Sequence, residues 1–327
     1  MSINNHIIYN AAIIGLGNIA WRFDQSRVGS SEVPYTHAGA LAVNPKTSII
    51  AGVSIDAKDR LEFAERYGVQ TYSTIEALFD VVTPDIVSIC SPSDFHFEHA
   101  MYCLEHRVPM IWLEKPPAKT TSELDMLIKA QKNYDASTIL INYSRRYSNI
   151  YRQLKKICDS NIYGNAVMMH ISYSRGLEIN GSHMIDAAFY VADDPEKAFL
   201  DKVMDFPARE NPSFSFKFSH GLPAIVTGMD LSYQCAEITV TFERGRATVL
   251  YAGASGRVEV QTEHEHFPGF YILTEINGHS LKPNSQNTYF SIALSDLMDA
   301  YESGRHPVSS LHTARKSQEL WNAVREK

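Results

Sequence analysis

The residues Ala11-Ala12-Ile13-Ile14 run without a break into Gly15-Leu16-Gly17-Asn18-Ile19-Ala20. An apolar strand that ends in two glycines, one residue apart, leaves few folds open. Gly15 permits a tight turn out of the strand. Gly17 lets the backbone approach a bound group, and Ala20 is small enough for a helix to lie close to the sheet. Free N–H groups at the start of such a helix suit a pyrophosphate. The spacing by itself is also ordinary turn chemistry. Its place directly after a buried strand points to a dinucleotide. Asn18 caps the helix or holds a phosphate-bridging water, and Ile19 completes the loop.

The pattern that follows alternates strand and helix. Strands are expected over 7–14, 47–53, 85–90, 109–113 and 138–142. Helices are expected over 57–67, from 74, over 97–105 and over 121–132. Such repetition gives a largely parallel sheet with helices on both faces. The loops after residues 14, 90, 113 and 142 then share one sheet edge, where open α/β sheets bind ligands. This predicts an N-terminal Rossmann domain over residues 1–142. Between Trp21 and His37, polar residues and Pro34 interrupt the first helix, which reads as an inserted loop. His37 there reads as a helix cap or a surface histidine rather than a pocket residue.

From residue 143 to 327 the pattern changes. Strand signals at 166–174, 214–218, 224–229, 236–242, 247–251 and 258–262 are separated by turn residues. This predicts an α+β domain with a large, mostly antiparallel open sheet, suited to substrate binding and to oligomerisation. A helix is expected over 183–191. Helices over 287–304 and 310–325 close the chain against one or both domains.

The chain has 327 residues, a length for two domains rather than one, and a formal charge of −7. That charge argues against nucleic acid as a general partner. No apolar run is long enough to span a bilayer, and no secretory signal is seen at the N-terminus, so the cytoplasm is the expected location. Cysteines 90, 103, 158 and 235 form no metal-ligand cluster, and no metal site is expected.

Three further stretches carry chemistry. Asp56, after the second strand, can accept adenine-ribose hydroxyls or cap the next helix. Ser54 with Lys58 or Arg60 can instead hold a ribose phosphate. The balance tips slightly to NAD over NADP. Ser91, Pro92 and His96 shape a wall beside the nicotinamide, with His96 and His99 read as packing or cap residues. Glu114-Lys115-Pro116-Pro117 follows an apolar strand. An ammonium fixed there can polarise a reacting hydroxyl or carbonyl, with Glu114 orienting it. A structural Lys–Glu pair is the alternative. His183, after Asn180-Gly181-Ser182, has a side chain suited to proton exchange near neutrality, with Asp186 one turn later. A helix-cap histidine is the alternative. Asn180, Arg145, Arg146 and Tyr173 are candidate substrate contacts, although arginines at a domain junction also form salt bridges.

Taken together, Gly15-Leu16-Gly17-Asn18-Ile19-Ala20, Glu114-Lys115-Pro116 and His183 with Asp186 resemble the glucose–fructose oxidoreductase, inositol dehydrogenase and rhizopine-catabolism (Gfo/Idh/MocA) family. The resemblance covers nearly the whole chain. It implies a nicotinamide cofactor, NAD or NADP, contacted by Gly15, Gly17, Asn18, Ile19, Ala20, Asp56, Ser91, Pro92, His96, Glu114 and Lys115. It implies catalysis by Lys115 and His183 on a secondary hydroxyl of a sugar or polyol. It also implies a homodimer or homotetramer built on the open sheet. One departure stands out. Ile179 occupies the position four residues before His183, where many polyol dehydrogenases of the family carry aspartate. That shifts the expected substrate toward modified or nucleotide-linked sugars. Two other readings stay open: elimination or hydrolysis with an internally recycled hydride, and a non-catalytic nucleotide-responsive binding protein.

Overall fold

The computed structural model describes residues 8–25, 33–134, 137–193, 195–204, 210–275, 280–283 and 289–327. Residue 7, residues 26–32 of the expected inserted loop and the first two residues of the expected helix at 287 lie outside the described residues.

The chain divides into two units: Met1–Ser144 with Gln286–Ala314, and Arg145–Ser285 with Arg315–Lys327. The first is built on six parallel strands in the order β3-β2-β1-β4-β5-β6. They are β1 (Tyr9–Ile14), β2 (Thr47–Val53), β3 (Gln70–Tyr72), β4 (Ile86–Ile89), β5 (Met110–Leu113) and β6 (Thr138–Ile141). β4 and β5 are buried at every position, as expected of parallel strands covered on both faces. The helices are α1 (Phe23–Gln25), α2 (His37–Val43), α3 (Ala57–Tyr67), α4 (Ile75–Phe79), α5 (His96–Glu105) and α6 (Thr121–Asn133). Local chemistry sets their ends. Asp56 accepts from the backbone of Lys58 and Asp59 at the start of α3, and Gly68 closes it in the left-handed region at φ 67°. A capping box of Thr120 and Glu123 starts α6. The strand order reverses between β1 and β4, so a crevice opens at their carboxyl ends, and Ile14 lies opposite Ile89 there.

The second unit carries eight strands in the order β14-β13-β12-β11-β7-β10-β9-β8. They are β7 (Ala166–Ser174), β8 (Ala198–Met204), β9 (Ser213–Phe218), β10 (Pro223–Met229), β11 (Ala236–Phe242), β12 (Gly245–Leu250), β13 (Ser255–Glu263) and β14 (Tyr271–Glu275). All pairings are antiparallel except β10 with β7. In β11, Ala236, Ile238, Val240 and Phe242 are buried and alternate with partly exposed residues, so one face is covered and the other open. α7 (Asn149–Ser160) and α8 (Ser182–Val191) pack on the covered face. Two helices complete the chain, α9 (Tyr289–Ser303) in the first unit and α10 (Leu311–Arg325), inside which the division between units falls.

The structure adds elements the sequence pattern did not announce. β3 is three residues long, and β8 and β14 are edge strands with no buried side chain, so none carries a strong apolar period. α7 follows directly on an arginine-rich turn that reads as a ligand loop. The inserted loop also begins later than expected, because Trp21 and Arg22 belong to a π-helical turn, Asn18–Arg22, that continues β1 and its glycines.

Candidate active site

In the first unit, Gly15 leaves β1 at φ 86°, and a Cβ there would run into the backbone of Cys90 and Ser91. Only glycine lets the loops after β1 and β4 lie this close. At Gly17 a Cβ would meet nothing within 4 Å. Gly17 caps the π-helical turn without any side-chain hydrogen bond. Open space over unclaimed helix-start N–H groups is what a phosphate requires. Ala20 is fully buried, and Trp21 beneath it donates its indole N–H to Leu16 O at 2.9 Å. Asn18 and Ile19 stand at the start of the same turn.

A cavity of about 630 Å³ opens at this crevice, lined by Gly15, Leu16, Gly17, Asp56, Ser91 and Pro92 among others. Its charged lining is acidic: Asp56, Asp59, Glu76 and Glu98, with no lysine or arginine among the described residues. Asp56 serves as the helix cap and faces this cavity as well. The two backbone N–H bonds from Asp59 and Lys58 hold its carboxyl below the usual value. The basic residues considered for a ribose phosphate are turned elsewhere. Arg60 donates to the backbone oxygens of Ser54 at 2.7 Å and Ile55 at 3.0 Å. Lys58 pairs loosely with Glu62.

The loops after β4 and β5 are tied to each other. His96, 2% exposed, faces Pro116 O with Nδ1 at 2.7 Å and Ser91 O with Nε2 at 2.8 Å. It therefore braces the wall of the crevice to the Glu114-Lys115-Pro116 loop from beneath, the packing role read from the sequence. Ser91 Oγ lies 3.0 Å from His99 Nδ1. Burial lowers the His99 pKa. Lys115 is half-buried and precedes a cis peptide bond to Pro116.

Glu114 sits in a buried polar network. His37 Nε2 is 2.9 Å from Glu114 Oε1, and Asn142 Nδ2 donates to the same oxygen at 2.5 Å. The Lys115 backbone N–H donates to Oε2 at 3.3 Å. Trp112 donates to Asn142 Oδ1 at 3.3 Å, which fixes the direction of that amide. His37 Nδ1 meets Ser88 Oγ at 2.5 Å. Burial alone would raise the Glu114 pKa. The bond and charge of His37, the Asn142 bond and the Lys115 charge outweigh it and leave the carboxyl below its usual value. His37 is thus neither a cap nor a surface residue. Thr36 caps α2, and His37 is fully buried. Asn142 and Ser88 were not singled out from the sequence, although Asn142 ends a strand at the edge where loops were expected to converge.

In the second unit, His183 lies in the first turn of α8 and is half-buried. A π-helical turn, Leu177–Gly181, leads into it. Several of the expected substrate contacts are engaged inside this unit. Arg146 is fully buried and grips Asp186 with Nε at 2.8 Å and Nη2 at 2.9 Å. Asp186 therefore anchors α8 to the turn before α7. Asn180 donates to Ser174 O at 2.9 Å, and Tyr173 donates to Pro212 O at 2.9 Å from the core. Arg145 is half-buried, and its Nε is enclosed without a hydrogen-bond partner. Ile179 is 63% exposed. Among the described residues, no group of three or more histidine, cysteine or acidic side chains is arranged to hold a metal ion.

Known proteins are similar to this chain in sequence or in fold. The family model for the oxidoreductase family with an NAD-binding Rossmann fold matches residues 9–141. A D-glucoside 3-dehydrogenase from Escherichia coli is 24% identical over 203 residues, covering 55% of this chain and 53% of that one. An oxidoreductase from Formosa agariphila is 26% identical over 161 residues, covering 49% and 50%. The chain thus spans about half the length of these curated relatives. Among solved structures, a 3-ketoreductase from Actinomadura kijaniata in complex with NADP superposes with a TM-score of 0.74 at 19% identity, covering 98% of this chain and 97% of that one. An oxidoreductase from Agrobacterium radiobacter in complex with NAD+, L-tartaric acid and magnesium gives 0.72 at 18% identity, covering 96% and 94%. At such identities the superpositions establish the fold. Residues 9–141, with the glycine loop and the Glu114-Lys115-Pro116 loop on one sheet edge, are thus the part of the chain that matches the Gfo/Idh/MocA family model of oxidoreductases.

Proposed function

We propose that this chain is a nicotinamide-dependent dehydrogenase that exchanges hydride with a secondary hydroxyl or carbonyl of a sugar or sugar derivative. The observation that carries the reading is the carboxyl edge of the first sheet. There the phosphate cradle at Gly15 and Gly17, the Ser91-Pro92 wall and Lys115 follow neighbouring strands β1, β4 and β5. The relatives named for inositol and glucoside dehydrogenases support the substrate class. A nicotinamide cofactor, when bound, supplies the hydride acceptor. Gly15, Gly17, Asn18, Ile19 and Ala20 would hold its phosphates, Asp56 its ribose, and Ser91, Pro92 and Glu114 the approach to the reacting end. His96 would hold that approach in place. Lys115 polarises the substrate oxygen, and His183 takes or returns the hydroxyl proton. The acidic lining of the cavity favours NAD, because a ribose phosphate would meet the Asp56 carboxyl, while the nearby Arg22 is taken up by Asp59 and Glu62.

Arg145 and Asn180 are assigned to the substrate side, and a sugar derivative with an anionic group would use the half-buried Arg145 guanidinium. Arg146 and Tyr173 support that side from the core. The exposed Tyr271, Ile272 and Leu273 on edge strand β14 favour a homodimer or homotetramer through the second sheet. No helix among the described residues is long and apolar enough to cross a membrane. Four free cysteines fit a reducing compartment such as the cytoplasm.

The test follows nicotinamide absorbance with purified protein, NAD and NADP in parallel, against free sugars, inositols, sugar acids and nucleotide sugars. A substrate-dependent change that disappears in Lys115→Met, with dinucleotide binding retained, is the expected result. Full turnover by Lys115→Met removes the role given to that lysine. Product formed without net cofactor reduction would instead indicate an internally recycled hydride.

A further inference from the structure

Glu114 is enclosed by groups from several elements. Facing it are His37 from α2, Asn142 after β6, the Cys90 thiol after β4, and Lys115 beside it. Burial first, and the Glu114 charge second, hold the Cys90 thiol well above its usual range, so that neighbour contributes no charge. An ionised carboxylate only accepts, so His37 Nε2 carries a hydrogen toward Glu114, while Ser88 Oγ lies 2.5 Å from Nδ1 on the other side of the ring. The His37 ring is wedged against Trp112 at 4.1 Å and Phe290 of α9 at 5.3 Å. Neither the ring nor the amide of Asn142, held by Trp112, is free to turn away. An isolated buried charge is costly, and a core built for stability alone packs apolar groups at such a position. Here the enclosing elements hold one anion in place, next to the half-buried Lys115.

We propose that Glu114 is the positioning residue for Lys115, and that His37 and Asn142 lock it as a fixed anion that sets the place and the charge of that lysine. The inference rests on the role assigned to Lys115 above, yet its test needs no substrate. The full-length protein is labelled with acetic anhydride across a pH series, and acetylation of Lys115 is read by mass spectrometry. Far-UV circular dichroism and the urea midpoint confirm the fold of each variant.

In Glu114→Gln the midpoint of Lys115 labelling should move to lower pH by about one unit, which is about tenfold faster labelling at a pH below both midpoints. Glu114→Asp, which keeps the charge, should return most of the shift. If Glu114→Gln does not fold, the double variant Glu114→Gln/His37→Gln, which leaves no unpaired buried charge, is used in its place. The same downward shift of the Lys115 midpoint is then expected, and an unmoved midpoint in that folded protein overturns the proposal. An unmoved midpoint in a folded Glu114→Gln protein overturns the proposal, as does a shift that Glu114→Asp does not restore. A moved midpoint together with full turnover by Lys115→Met leaves the positioning intact and removes the catalytic assignment instead.

Discussion

Glu114 in the first unit and Asp186 in the second are both buried carboxylates, but their partners differ in kind. Asp186 meets a guanidinium that is itself fully buried, in a two-pronged contact closed on both sides. Glu114 is held by a histidine and an amide rather than by a guanidinium, and the next residue along the chain is the half-buried Lys115. The first arrangement neutralises charge within the fold. The second retains an anion whose field reaches a residue at the rim of a site. Two acids of similar burial therefore do different work, and the sign and reach of the partner decide which.

Removing each acid separates the two roles. Asp186→Ala leaves the buried Arg146 without its counter-charge and should cost about 3–5 kcal/mol, read as a fall in the urea midpoint. A loss below about 1 kcal/mol would mean that Arg146 finds solvent and that the pair is not closed. The glycine cradle gives the next largest contrast. Gly15→Ala combines a strained φ with a clash against the Ser91 backbone. It should lose about 1–3 kcal/mol together with NADH binding. Gly17→Ala has room for its Cβ, so stability should stay within about 0.5 kcal/mol while NADH affinity falls about tenfold. Equal destabilisation by the two would break the distinction between a glycine needed by the fold and one needed by the ligand. The smallest effect is expected for Thr120→Ala. It removes half of the capping box of α6 and should cost about 1 kcal/mol, with no change in NADH binding.

The elements that were legible in the sequence are those whose signals are local. The bounds of β2 and α3 follow from an apolar run, from Asp56 as cap and from Gly68 as stop. The glycine loop and the edge placement of the Glu114-Lys115 loop are local too, since each loop follows its own strand. Partnerships across the chain were not legible. His37 finds Glu114 at a separation of 77 residues, and Arg146 finds Asp186 at 40. A histidine at a helix start reads as a cap until its ring is seen buried. An arginine pair at a junction reads as an anion site until one member is seen turned inward. Composition carries no information about such pairings, because any acid of suitable reach satisfies either residue.

α9 lies far along the chain from the sheet it covers. Phe290 packs on His37 and Trp112, and Ile141 N donates to Ser309 O. On the ribosome, residues 1–144 emerge long before these partners are made. The first sheet therefore waits, with the wall over His37 still open, while the whole intervening unit is synthesised. A nascent chain stalled before residue 289 would carry the phosphate loop and the lysine without the cover that encloses their anion. Competence of the first unit to enclose that anion should thus arrive with α9, rather than with the segment that bears the recognisable motif.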